Sequence, residues 1–475
     1  MSFNSVIFIF LFCPFSVAAY YIALKINSRA ADYVLALFSL AFYGWAFFDY
    51  IFLLFAYILV LHMVGKYIEK RDKENGIFTN LGRKWIFIFF IVVAIGLLGY
   101  YKYSNFIIGS INSLTGSSFA TLNIIVPLGI SYITFSSISF LVDVYREDAS
   151  VNGLVDTFIY ILMFPKVACG PILLYKNFKN DFRIDPYNLD NMVAGINRII
   201  VGLAKKVILA NYFGTILTNM TLTGMDTVTG IASIFIYSFQ LYLDFSGYTD
   251  MAIGLGMLFG YKLPENFIKP YSSKSIKEFW RRWHASLGAW FKEYVYIPLG
   301  GSRVSKTRNL VNLMIVFAIT GIWHGAGVNY IIWGMMHGIC TVYDRLVEQN
   351  RIYKRIPNFI KWICTFSVVC IGWQFFRYST VAEFNTLIKD VILFNDNNVT
   401  FTWIYYLNAK FIAISIISIL CSFSFTDNII AAVLSRVNND RLVLLIKQTL
   451  LIVLLALGII ATISTTYSPF IYFRY

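Results

Sequence analysis

Residues 318–338 read AITGIWHGAGVNYIIWGMMHG, an apolar stretch that carries two of the chain's four histidines, His324 and His337. Its hydropathy suits a bilayer-crossing segment, and its glycines let helices approach closely. Working outward, apolar runs approaching the roughly 20 residues a spanning helix needs recur at 6–24, 32–47, 50–65, 85–101, 122–142, 192–210, 229–243, 309–323, 328–343, 359–376, 409–424 and 442–462. Hydrophobic residues make up 58% of the 475 and charged residues 13%, where soluble chains average about 25% charged. The pattern predicts an all-α polytopic membrane protein, a single membrane domain over residues 1–475 with about ten to twelve spans, some re-entrant. Residues 1–5 have no basic n-region and the first run lacks a clear small-residue cleavage site, so no signal peptide is expected.

The net charge of +14 could suggest nucleic acid, but the basic residues lie between apolar runs and belong to no soluble domain. They report orientation instead. Lys25 and Arg29 follow the first run, and Lys66, Lys70, Arg71, Lys73, Arg83 and Lys84 follow the third, whereas the connection near Asp49 has no basic residue. By the positive-inside rule the basic loops are cytoplasmic and the N-terminus external. The uncharged SINSLTGSSFATLN, residues 110–123, fits an external loop. The six cysteines (Cys13, Cys169, Cys340, Cys364, Cys370 and Cys421) lie in or beside apolar runs without CxxC spacing and read as core residues.

The longest non-spanning stretch is LPENFIKPYSSKSIKEFWRRWHASLGAWFKEYVYIPLGGSRVSKTR, residues 263–308. Ser275 and Glu278 form a capping-box signature. On a helical wheel Trp280, Trp283, His284, Leu287, Trp290 and Phe291 share one face, and Lys277, Arg281, Arg282 and Lys292 the other. This predicts an interfacial amphipathic helix and a cytoplasmic basic segment over 272–300. Such a helix is an anchor in membrane lipid, or it presents His284 to a protein cavity whose basic rim of Lys277, Arg281 and Arg282 attracts a polyanionic donor.

On one straight helix His324 and His337 would sit about 20 Å apart, and no histidine pair has HxxxH spacing, so no metal site is expected. Gly321, Gly325 and Gly327 around His324 either permit close helix packing or leave room for a narrow ligand. A histidine in this setting makes a structural hydrogen bond or does chemistry. Two interruptions complete the pattern. FPKVACGPILLY (164–175), with Lys166 inside it, reads as a broken or re-entrant element. QLYLDFSGYTDMAIGLGMLFG (240–260) reads as two half-helices split around Asp244, Ser246, Gly247, Thr249 and Asp250.

The segments LDFSGYTDMAIGLGMLFGYKLPENFIKPY, SIKEFWRRWHASLGAWFKEYVYIPLGG and ITGIWHGAGVNYIIWGMMHG, in this order, resemble the membrane-bound O-acyltransferase (MBOAT) family, and most closely its alginate O-acetyltransferase-like branch. FPKVACGPI, VPLGISYITF, WQFFR and the terminal SPFIYFRY extend the resemblance over nearly the whole chain. It implies an MBOAT-like helical core with re-entrant or broken helices around a transmembrane tunnel in a bacterial cytoplasmic membrane. It further implies that His324, in the WHG motif, is essential for acyl transfer and that His284, in RWH, is a second functional histidine. No bound cofactor is implied. Acetyl-CoA would be the cytosolic donor, an extracellular polysaccharide the final acceptor, and an exported serine hydrolase-like acetyltransferase the partner.

The residues suit that chemistry. Transfer from a thioester to a hydroxyl needs a base near neutral pH, and imidazole supplies one. Backbone N–H groups at Gly325 and Gly327, or the Asn329 amide, could stabilise the oxyanion, and Asp244 could fix an imidazole tautomer. Two rivals stand beside this reading. A transporter would share the broken helices, but no repeat halves are visible; D-alanyl transfer to teichoic acid from a carrier protein would need a cytoplasmic carrier-docking surface.

Overall fold

Each apolar run picked out above falls wholly or largely on a helix in the computed structural model, which describes residues 1–70, 76–178, 182–378, 380–392, 399–437, 439–464 and 470–471. Among the described residues there is no strand, only the isolated bridges Arg183–Tyr261 and Phe267–Trp283. Arg71 and Lys73 of the basic cluster, and six of the eight residues of SPFIYFRY, lie outside the described residues.

Among the described residues five helices are both long and apolar enough to cross a membrane: Phe48–Glu69, Leu81–Thr115, Thr227–Leu258, Asn358–Arg377 and Asp440–Ser464. A sixth crossing is made if Ala409–Ser422 and Phe425–Leu434, bent by 95°, count as one. Ten to twelve were expected. The other runs sit on helices that are too short, such as Ile130–Tyr145, or that open on a polar turn, such as Lys306–His324 with its KTRN start. The expected loop at 110–123 begins later than the composition suggested, because helix continues to Thr115 before Gly116, at φ 71°, ends it.

The chain divides into two compact units, residues 1–199 with 252–264, and residues 200–251 with 265–475. In the first, Phe12, Phe42 and Phe164 pack at ring separations of 5.4–5.8 Å, and the Tyr20 hydroxyl donates to the Phe259 carbonyl at 2.9 Å. The 164–175 element is broken as expected: helix Phe164–Val167 stops and the chain resumes helix at Tyr175–Phe178. Gly129, at φ 68°, is required there, because a Cβ would stand 2.1 Å from the Val167 carbonyl oxygen. Lys166 is buried in this unit, its Nζ 3.0 Å from Ser136 Oγ and 4.9 Å above the Tyr160 ring.

The split expected at 240–260 does not occur, since Thr227–Leu258 is one continuous helix. Its two aspartates are neutralised where they stand. Within the second unit Lys206 Nζ lies 2.5 Å from Asp244 Oδ1, and Lys205 Nζ 2.7 Å from Asp250 Oδ2. A charge matched this closely does not need to break the helix to reach water. Gly247 serves helix packing, because a Cβ there would meet the Gly202 carbonyl oxygen at 2.7 Å.

Candidate active site

Ser305 caps the N-terminus of Lys306–His324 by accepting from the Arg308 N–H at 3.4 Å. The helix ends at His324, where Gly325 is extended, and Val328–Val347 begins after Gly327. The opening stretch is therefore a turn between two packed helices. Their backbones are close enough that a Cβ on Gly321 would lie 2.5 Å from the Tyr330 carbonyl oxygen, and one on Gly334 2.5 Å from that of Phe317. Two of the glycines counted as possible ligand space are used in the same way. The Tyr330 ring occupies the position of a side chain at 325 (2.1 Å), and Asn329 Oδ1 that of one at 327 (2.4 Å).

This turn brings His324 and His337 to the same indole, overturning the separation of about 20 Å that a straight helix would give. The His324 ring lies 4.9 Å from Trp333, 4.7 Å from Trp323 and 5.0 Å from Phe376. The His337 ring is 5.1 Å from Trp333, and its Nδ1 accepts from Trp280 Nε1 at 3.4 Å. Asn329 donates to the carbonyls of Phe375 at 2.8 Å and Tyr378 at 3.2 Å. Its amide hydrogens thus tie two helices together, which removes it as an oxyanion donor.

The amphipathic segment departs further from its expectation. Ser275 Oγ accepts from the Glu278 N–H at 3.1 Å, as the capping signature required, and the Glu278 carboxylate accepts from the Lys274 N–H at 2.9 Å. The helix nevertheless stops at Arg282 and restarts at Ala285, with His284 between them in the left-handed region at φ 48°, ψ 48°. The cause is tertiary. Residues 266–268 run antiparallel beside 282–285, bridging at Phe267–Trp283, with Ile268 N–H donating to Arg282 at 2.9 Å and Ala285 N–H to Asn266 at 3.0 Å. A non-glycine residue in that conformation costs about 1–3 kcal/mol and marks positions the surroundings over-determine.

The apolar face of the segment is spent on protein, not on lipid. Trp283 is 1% exposed, 4.5 Å from Trp373 and 5.0 Å from Phe267. This overturns the interfacial anchor as the account of the tryptophans. His284, also 1% exposed, lies with Trp280, Leu287, Phe291, Lys292 and Phe317 in the wall of a cavity of about 200 Å³. Its Nδ1 is 3.0 Å from Asn266 Oδ1, and its Nε2 has no hydrogen-bond partner among the described residues. Burial pushes its pKa down to about 3, so the ring is neutral. The Trp323 ring is 6.4 Å from His284 and 4.7 Å from His324, so a single indole joins the two candidate histidines.

The remaining candidates fall elsewhere. Asp244 is engaged by Lys206 through one oxygen and by the Ile471 N–H at 2.8 Å through the other, a pairing that leaves it no imidazole to orient. Of the basic rim, Lys277 pairs with Glu348 at 2.6 Å and Arg282 with Glu278 at 2.7 Å, while Arg281 is exposed. The cation in the cavity wall is Lys292. Asn266 is the residue the sequence reading missed; only the helix-free PEN step ahead of the amphipathic segment hinted at it. Among the described residues no cluster of three or more potential metal ligands occurs.

Comparison with known proteins agrees along most of the chain. The model of the membrane-bound O-acyltransferase family matches residues 41–381. A probable alginate O-acetylase of Pseudomonas aeruginosa is 38% identical over 79% of this chain and 72% of its own length. A peptidoglycan O-acetyltransferase of Helicobacter pylori is 30% identical, over 100% of this chain and 97% of its own length. A teichoic acid D-alanyltransferase of Bacillus subtilis is 33% identical across 54% of this chain and 69% of its own length. With its long apolar helices and its buried WHG histidine, the chain is a multi-pass membrane O-acetyltransferase that belongs to the membrane-bound O-acyltransferase family.

Proposed function

We propose that this protein resides in a bacterial cytoplasmic membrane and takes an acetyl group from cytosolic acetyl-CoA for O-acetylation of an extracytoplasmic glycan. Polysaccharides and peptidoglycan are the acceptor class, as in the names of the similar proteins from P. aeruginosa and H. pylori. An exported serine hydrolase-like protein would complete delivery to the polymer. The observation that carries the donor assignment is the cavity at His284, mostly apolar in its wall, with the Lys292 cation and a neutral imidazole on it. Apolar walls suit the thin pantetheine arm and acetyl group, and a cation suits the phosphates.

In the transfer, the acceptor oxygen attacks the thioester carbonyl carbon and the C–S bond breaks. An imidazole lone pair takes the hydroxyl proton and returns it to the leaving sulfur, so the thiol departs neutral. We assign His324 as that base and His284 to the donor side. The D-alanyl reading is weaker, because the similarity to the teichoic acid enzyme covers little more than half of this chain.

Mass analysis of surface glycans from a deletion strain tests the acceptor: O-acetyl esters should disappear from one glycan and return on complementation. Unchanged esters on every glycan, with loss of D-alanyl esters, would replace the acetyl reading. Filling the cavity tests the donor side. Gly288 lines it, and a Cβ there meets only the Trp280 carbonyl oxygen at 3.5 Å. Gly288→Leu should therefore fold and raise the KM for acetyl-CoA; an unchanged KM would move the donor elsewhere.

A further inference from the structure

One buried residue holds the break at His284. Asn266 is 0% exposed, and its contacts run through three consecutive residues. Its backbone carbonyl accepts from the Ala285 N–H at 3.0 Å. Its Oδ1 accepts from the Ser286 N–H at 3.3 Å and from the Ser286 hydroxyl at 2.9 Å, and stands 3.0 Å from His284 Nδ1. A backbone N–H can only donate, so the amide atom facing Ser286 is the oxygen. The ring nitrogen that meets the same oxygen must then carry hydrogen. In a neutral imidazole with Nδ1 protonated, the lone pair is on Nε2, at the ring edge remote from Asn266. That is the nitrogen with no partner among the described residues.

We infer that Asn266 is a positioning residue of acetyl transfer: it fixes His284 as the Nδ1–H tautomer and leaves the Nε2 lone pair for the occupant of the cavity. The inference rests on the donor site proposed above. The left-handed backbone at His284 fits it, because the strain is borne where the pairing with residues 266–268 forces the ring into place. An amide that takes part in no proton transfer but selects the tautomer of a working imidazole acts on the rate through the fraction of molecules correctly protonated.

The test uses the full-length protein in detergent, with release of free thiol from acetyl-CoA as the activity. The groups facing the ring from other elements are Asn266, Phe245 and Trp323, with Lys292 and Tyr296 also lining the cavity. Asn266→Asp keeps the acceptor oxygen and adds a charge beside Nδ1, which raises the proton affinity of the ring. The pH at which the His284 ring signal titrates should move up by about 1 unit or more. Asn266→Leu frees the tautomer and should lower turnover roughly 10-fold or more, without adding to the loss caused by His284→Ala. A second readout does not depend on activity. In ¹⁵N-histidine spectra, simplified by the presence of only four histidines and assigned with His284→Gln, the His284 Nε2 signal should be that of an unprotonated nitrogen. In Asn266→Leu it should become a mixture.

An unmoved titration of the His284 ring signal in Asn266→Asp, or an unchanged His284 signal in Asn266→Leu, overturns the inference. If Asn266→Leu does not accumulate, the Asp variant decides alone through the pH titration of its ring signal. If no form of the protein releases thiol from acetyl-CoA but the ring signals change as stated, the tautomer assignment stands and the donor reading falls.

Discussion

Two histidines sit at two breaks in helices, and the breaks have opposite origins. At His324 the chain turns because its own sequence supplies glycines. Gly325 and Gly327 end one helix and admit the next, while Gly321 and Gly334 let the pair close. At His284 nothing local asks for a break. EFWRRWHASLGAWF is a sound helical pattern, interrupted only because residues 266–268 claim the backbone hydrogen bonds of 282–285. The first histidine is boxed by the rings of Trp323, Trp333 and Phe376, and the second is held at one nitrogen and without a partner among the described residues at the other. A break encoded in glycine is tolerant of its surroundings, whereas one imposed by a distant segment makes the imidazole answerable to that segment.

The largest effect should come from the glycine break. His324→Ala is expected to lower O-acetylation per unit of detergent-stable protein by at least about 100-fold, the usual share of a general base. Substantial specific activity in this variant would remove His324 from the chemistry and leave His284 as the working ring.

The second break can be probed by acid as well as by mutation. The His284 pKa is about 3 in the fold against roughly 6.5 in an unfolded chain. Below pH 6.5 the unfolded state therefore binds a proton that the folded state refuses, and stability falls as pH drops from 6.5 towards 3. His284→Gln should lose activity but flatten part of that decline, measured as the unfolding midpoint in detergent at pH 7.5 and pH 5. An equally steep decline in the variant would mean that the ring is not held neutral by burial.

His337 separates structure from chemistry between the two breaks. It touches Trp333 beside His324 and accepts from Trp280 in the cavity wall. His337→Ala is expected to retain activity within roughly 10-fold while losing about 1–3 kcal/mol of stability from the unpaired indole N–H. A loss of specific activity as deep as that of His324→Ala would merge the three rings into one catalytic unit.

The smallest effect belongs to the outer charges. Reversing Arg281 and Arg282 to Glu should raise the KM for acetyl-CoA only a few-fold, because Arg282 is already matched by Glu278 and exposed pairs contribute about 0–1 kcal/mol. An effect larger than that of Lys292→Glu would place the phosphates on the outer rim and away from the cavity wall.

The helices were legible in the sequence because they follow from local composition, in apolar runs of spanning length; the turn at Gly325–Gly327 was not, because glycines in an apolar run suit close helix packing as well as a break. Asp244 looks like a helix breaker in the sequence because its partner, Lys206, is 38 positions earlier; no local pattern records a pairing at that distance. The same holds for Asn266, whose 18-residue separation from His284 exceeds any helical or turn periodicity. The wheel sorted the amphipathic segment correctly into apolar and basic faces but could not say whether lipid or Trp373 would cover the apolar one. Burial of Trp283 is decided by residues that lie far along the chain.

The Asp244 carboxylate also sets a timetable. Lys206 precedes it in the chain, but the N–H that fills its second oxygen, from Ile471, is 227 residues later. At roughly 5–20 residues per second, the ribosome needs on the order of 10–50 s to deliver it. During that interval the insertion machinery must shelter a half-satisfied ion pair. A chain halted before residue 471 would keep that carboxylate oxygen without this donor.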